Sequence, residues 1–209
     1  MCQAFRVTGR GRPPLLSDEI ILGKALSMFA AAGYEAMSVR ALNAELGLSH
    51  ETVSKRFGPK SELYRAAVTY GAERFIADFD RELAAGGAVD GLARLRATVR
   101  AFMIATARHP ALGDLLHHHS IGEEQRMTIV GETGLADRIV DTVSLLGHLH
   151  DAGAIRETRI RELWFLAHGA ATPLHFRAVS ELFDPFDGPL DDDEHIGRMT
   201  DAVMRTVLP

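Results

Sequence analysis

Residues 48–56 read LSHETVSKR. Leu48 and Val53 are apolar, while Ser49, His50, Glu51, Thr52, Ser54, Lys55 and Arg56 are all polar. A helix that buries one edge through Leu48 and Val53 presents the rest to a polar partner. The chemistry suits the edges of base pairs. Lysine reaches guanine O6 and N7, glutamate accepts from cytosine N4, and threonine meets the thymine methyl group. His50, Glu51, Thr52 and Lys55 are therefore candidate base readers. Lys60 stands beside the start of the next helix, where charge and helix dipole both attract phosphate. For each of these residues the plain alternative is a solvated charge.

These side chains need elements to hold them. Ser17 can cap a first helix, with Asp18 and Glu19 in its first turn. Ile21, Leu22, Ala25, Leu26, Phe29 and Ala32 follow at helical spacing, and Gly33 is a stop. Ser38 can cap a helix over Val39 to Leu46, in which Leu42 and Leu46 share a face. Gly47 and Leu48 make a tight turn. Ser49 can cap a second short helix running to about Arg56, and Gly58-Pro59 breaks the chain. Ser61 opens a long helix carrying Leu63, Tyr64, Ala67, Val68, Phe75, Ile76 and Phe79. Two short helices about a glycine turn form either an ordinary helical corner or a helix-turn-helix. In the latter the second helix lies in the major groove.

The segment from Ile21 to Tyr64 resembles the N-terminal domain of the TetR family of transcriptional regulators. The resemblance is carried by Ile21, Ala25, Phe29, Gly33-Tyr34, Ser38-Val39-Arg40, Leu42, Gly47-Leu48-Ser49, Thr52, Val53, Phe57, Lys60 and Leu63. It implies a dimeric regulator, more often a repressor than an activator. Its C-terminal helices would bind a small-molecule effector and form the homodimer. Arg40 matches a position that reaches a base or a phosphate. Asn43 stands where the family usually has alanine, a small residue that lets two helices approach. Ser54 stands where a phosphate-binding tyrosine is common, and Arg56 could supply the phosphate contact that Ser54 is too short to make. Ahead of this segment, GRGRP at 9–13 resembles an AT-hook core. Arg10 and Arg12 are drawn there to the negative potential of a narrow A·T minor groove. The alternative is a solubilising tail.

The whole chain fits this frame. It has 209 residues, 46% hydrophobic and 24% charged, a globular balance. Cys2 is the single cysteine, so no disulfide framework exists and a reducing cytosol is expected. No apolar run is long enough to span a membrane, and the N-terminus lacks the apolar core of a secretory signal, so a cytoplasmic location is expected. Net charge is −5, yet residues 1–65 hold nine Lys or Arg against six acids, so the start is basic and the body acidic.

Behind Gly86-Gly87 the periodicity stays helical. Asp90 caps a helix bearing Leu92, Leu95, Val99, Phe102 and Met103, and further helices cover 135–149, 157–181 and 196–207. The expected fold is all-α, with about nine helices. Its parts are a basic arm (1–16), a three-helix helix-turn-helix DNA-binding domain (17–64) and a helical effector-binding and dimerisation domain (65–209). Phe102, Met103, Trp164 and His168 are candidate effector contacts, with plain core as the alternative. Leu163, Ala167, Ala170, Ala171 and Leu174 are candidates for a dimer seam.

The ten histidines do not make a metal site. His117, His118 and His119 are consecutive and diverge by about 100° on a helix, and no HExxH or CxxC pattern occurs. GxSxG and a Gly-rich phosphate loop are missing as well. No cofactor, metal or catalytic residue is expected. The competing reading is an all-helical enzyme or metal-binding protein whose helix-turn-helix is not its main activity.

Overall fold

A computed structural model describes residues 16–87, 90–117 and 131–209. Arg10 and Arg12 of the arm, and His118 and His119, lie outside the described residues. The described residues form helices joined by turns, with no strand among them. They are α1 (Asp18–Ala36), α2 (Val39–Glu45), α3 (Thr52–Phe57), α4 (Lys60–Ala85), α5 (Gly91–Arg108), α6 (Pro110–His117), α7 (Leu135–Asp151), α8 (Ile160–His175) and α9 (Asp192–Val207). Short helical turns over residues 177–187 connect α8 towards α9.

Local chemistry sets most boundaries. Ser17, Ser38 and Asp90 cap α1, α2 and α5, their side chains accepting from the amides of Ile20, Ala41 and Ala93. Gly33 adopts φ 77°, which breaks α1 three residues before its assigned end. One expected start and one expected cap differ. Ser61 lies inside α4, which starts at Lys60 behind Pro59. The Ser49 hydroxyl bonds to the Thr52 hydroxyl at 2.7 Å instead of to an amide, so α3 begins only at Thr52.

Two cores result. Ile21, Ala25, Phe29, Leu42, Val53, Leu63, Tyr64 and Val68 pack the N-terminal head. Phe29, Tyr34 and Tyr64 cluster there with ring centroids 5.0–6.0 Å apart, fastening the start of α4 to the end of α1. Leu95, Val99, Met103, Leu163, Ala167, Ala171, Val203 and Val207 pack the body. The cores are linked twice. Helix α4 is continuous through residue 64, where the sequence suggested a domain boundary, and it packs on both α1 and α5. Leu112 and Leu115 of α6 are buried in the head core against α1.

The small-residue stripe expected at a dimer seam faces inward: Leu163, Ala167, Ala171 and Leu174 are buried within their own chain. Exposed apolar side chains include Val140 and Val143 on α7, Phe165 and Leu166 on α8, and Phe176, Val179, Leu182, Phe183 and Phe186 beyond it. No described helix is long and apolar enough to cross a membrane.

Candidate nucleic-acid interface and effector cavity

The turn between α2 and α3 is built on Gly47 at φ 65°. Its amide donates to the Ala44 carbonyl at 3.1 Å and that of Leu48 to the Asn43 carbonyl at 2.8 Å. This pair of bonds closes a helix with a left-handed residue and suits glycine. Asn43 is fully buried at the crossing of the two helices. Its Nδ2 donates to the Val39 carbonyl at 3.0 Å and the His50 carbonyl at 3.1 Å. Its Oδ1 accepts from the Val53 amide at 3.2 Å. Since Glu51 gives α3 no side-chain cap, α2 caps α3 from outside. Asparagine therefore stands here without unmet polar atoms, and its three bonds tie the two helices together in place of simple close packing.

Outward from this staple, Arg40, Ser49, His50, Glu51, Ser54 and Lys55 are exposed, and Thr52 is half-buried. Glu51 and Lys55 pair with each other at 2.6 Å across one turn, both largely in solvent. Two candidate phosphate contacts are held inside the head. Arg56 pairs with Asp18 and donates to the Leu16 carbonyl at 2.6 Å, so it anchors α3 to the start of α1. Lys60 donates to the Glu35 carbonyl at 3.0 Å and lies over the Tyr34 ring at 4.8 Å. Both would have to leave these partners, or share them, to meet DNA.

The body holds a cavity of about 270 Å³. Helix α4 contributes Phe75, Ile76 and Phe79, and α5 contributes Thr98, Val99, Phe102 and Thr106. Leu112 and Gly113 of α6, Leu135, Arg138, Ile139 and Thr142 of α7, and Leu163, Trp164, Ala167 and His168 of α8 complete most of the wall. Trp164 stacks on His168 at 5.0 Å and 3°, and Phe102 lies 6.0 Å from Trp164. Phe102, Trp164 and His168 thus line the cavity as a group. Met103 does not: it points the other way from Phe102, is fully buried in the body core, and meets the Thr200 hydroxyl.

Sequence reasoning missed the polar wall. Arg138 binds both carboxylate oxygens of Asp80 on α4, at 2.8 and 2.6 Å. Those bonds hold its pKa above the usual arginine value, against desolvation. His109 bonds to Asp78, also on α4, at 2.8 Å. Burial raises the Asp78 carboxyl, but hydrogen bonds from His109 and Arg81 outweigh it and hold the group below its ordinary value. The available signal is Arg138 and Thr142 alongside the apolar series Leu135, Ile139, Val143. A cation at the margin of an apolar stripe is a candidate cavity residue. Among the described residues no group of three His, Cys, Asp or Glu side chains could hold a metal ion.

Comparison with known proteins agrees with this geometry. Residues 21–67 match the profile of bacterial regulatory proteins of the tetR family. No curated protein matches the chain significantly. Among solved structures, AibR in complex with isovaleryl coenzyme A and operator DNA aligns with TM-score 0.64 at 21% identity, over 91% of this chain and 97% of that one. The ketosteroid transcriptional regulator KstR2 of Mycobacterium tuberculosis aligns with TM-score 0.65 at 18% identity, over 93% and 97%. The TetR family transcriptional regulator PfmR from Thermus thermophilus aligns with TM-score 0.61 at 21% identity, over 91% and 96%. The fold is shared along nearly the whole chain, and the sequence signature occupies the head. The likeness to bacterial regulatory proteins of the tetR family is thus carried in sequence by the domain at residues 21–67, and beyond it by the fold alone.

Proposed function

We propose that this protein is a homodimeric transcriptional repressor that leaves its operator when a small molecule fills the body cavity. One observation carries the proposal. The same helix, α4, begins at Lys60 beside the reading head and lines the cavity with Phe75, Ile76 and Phe79. At 1.5 Å per residue its 26 residues reach about 39 Å. Helix α6 makes a second connection, with Leu112 both in the head core and on the cavity wall. A ligand that favours one setting of these helices over another shifts the position of the head. In a dimer the two copies of α3 must sit about one DNA turn, roughly 34 Å, apart to enter successive major grooves.

In this reading His50, Glu51, Thr52 and Lys55 read bases. Arg40, Ser49 and Ser54 contact the backbone or neighbouring bases, and Arg10 and Arg12 of the arm enter the flanking minor groove. Arg56 and Lys60 act chiefly by fixing α3 and α4 to α1, with any phosphate contact secondary to that. The exposed apolar residues from Phe165 to Phe186 suit the homodimer face. AibR and KstR2 are described with an acyl coenzyme A and as a ketosteroid regulator, which supports a ligand-responsive body of this shape.

The test is a gel shift on duplex DNA flanking the protein's own gene, with sedimentation to measure assembly. Ile139→Trp projects bulk into the cavity from a half-exposed position. It should leave dimerisation and DNA binding intact while abolishing release by any compound that releases the wild type. If the variant still responds fully, the effector does not bind in this cavity.

A further inference from the structure

Among the described residues, the ionisable side chains on the cavity wall are Arg138, His109 and His168, all basic, and none is acidic. Arg138 and His109 are held by Asp80 and Asp78 respectively, two carboxylates on α4 that are not among the wall residues. Two of the wall hydroxyls are already engaged: Thr98 and Thr142 donate to carbonyls of their own helices, at 2.9 and 2.8 Å. A cationic ligand would meet a guanidinium here and find no counter-charge among the described wall residues, which is costly in an apolar site. A carboxylate would meet the planar two-pronged donor of Arg138, whose geometry matches it.

We propose that the effector is a compact apolar organic acid, and that its carboxylate takes Arg138 away from Asp80. The inference rests on the cavity being the effector site, as proposed above. The exchange is cheap on the α4 side, because the Asp80 side chain is 42% exposed and water can solvate it once Arg138 turns away. It is favourable on the cavity side, where an ion pair among aromatic rings is less screened. The consequence is mechanical. Arg138–Asp80 ties α7 to α4, so the acid that binds Arg138 also unfastens the helix that carries the reading head. The cavity, about 270 Å³, has room for a short acid.

Trp164 is the chain's one tryptophan and lies in the wall, so its fluorescence reports occupancy of the intact protein. The probes are octanoate, octanamide and octylamine at neutral pH. Octanoate should bind at least tenfold more tightly than octanamide, with octylamine weakest. Arg138→Gln should erase the preference for the acid while leaving octanamide affinity in place. Asp80→Asn, which removes the competing carboxylate, should tighten octanoate binding several-fold without changing octanamide. Equal binding of acid and amide to the wild type overturns this inference and leaves the cavity reading standing. So does an acid preference that survives Arg138→Gln. If that variant fails to fold, unchanged or weaker octanoate binding by Asp80→Asn overturns the inference. A Trp164 signal that none of the three probes moves overturns the inference as well.

Discussion

Replacing Asn43 by alanine introduces the residue that the family usually carries there, yet this structure predicts a loss of stability. In the substitution the Val53 amide loses its acceptor, Asn43 Oδ1, at a site where both Asn43 and Val53 are fully buried. A buried amide left without a partner costs about 1–3 kcal/mol. The carbonyls of Val39 and His50, which lose the Nδ2 donor, belong to a half-buried and an exposed residue, within reach of water that can replace it. Alanine recovers roughly 0.5–0.7 kcal/mol through its better helix propensity. The net expectation is a loss of about 0.3–2.5 kcal/mol. With a urea slope of about 2 kcal/mol per molar, the midpoint should fall by about 0.2–1.2 M. Protein concentration is held fixed in this comparison, since any self-association would shift apparent stability. Asn43→Asp keeps the acceptor but sets a buried carboxylate against two carbonyls, so it should be worse than alanine. The order asparagine, alanine, aspartate is the signature of a two-sided staple. An alanine variant as stable as the wild type, or more so, would refute the reasoning and return this position to simple close packing.

Three further expectations rest on other parts of the molecule. Lys55→Ala and Glu51→Ala should each relax base preference at one operator position, costing about 1–3 kcal/mol there; sequence selection with each variant checks this, and an unchanged consensus would place base readout elsewhere. Deleting residues 1–14 should weaken binding to operators with A·T-rich flanks more than to others, while circular dichroism and sedimentation stay unaltered; equal affinities with and without the arm would dismiss the minor-groove role. Asp78 has its carboxyl held below the ordinary value, so its bonds to His109 and Arg81 stabilise the fold above the unfolded-state value, near about 3.9, and that contribution fades as pH falls through the lower folded value. Asp78→Asn should therefore be less stable than wild type at neutral pH, and the gap should narrow only in strong acid. A gap that is the same at about pH 2 and about pH 7 would contradict it.

How much of this is legible in the sequence depends on the reach of each interaction. The caps at Ser17, Ser38 and Asp90 are local, acting over three residues, and the sequence shows them directly. The cap on α3 comes from Asn43, ten residues upstream of the amide it serves, while local reading looks for it at Ser49. Arg56 and Lys60 look like free cations in a basic segment, but their partners Asp18 and Glu35 lie 38 and 25 residues earlier, respectively. Composition marks Phe102, Met103 and Trp164 as apolar alike. Only the packing of α5 against α8 and α9 sends Met103 inward and leaves Phe102 on the cavity wall. Arg138 escapes notice because its role is set by Asp80, 58 residues away. The alanine-rich side of α8 is legible as a packing face, but nothing along the chain says whether a packing face meets its own subunit or a second one.

In the proposed function α3, held by the α2 staple, reads sequence in the major groove as one of a pair. Selection of the full-length protein on random duplex DNA, followed by measurement of salt-dependent affinity for the recovered sites, decides this. The expected product is an inverted repeat with half-sites about one helical turn apart, or a multiple of it, bound at least roughly a thousandfold more tightly than unrelated DNA, as is usual for specific binders. Recovery of no common sequence, or of a single unpaired half-site bound no better than random DNA, would contradict it.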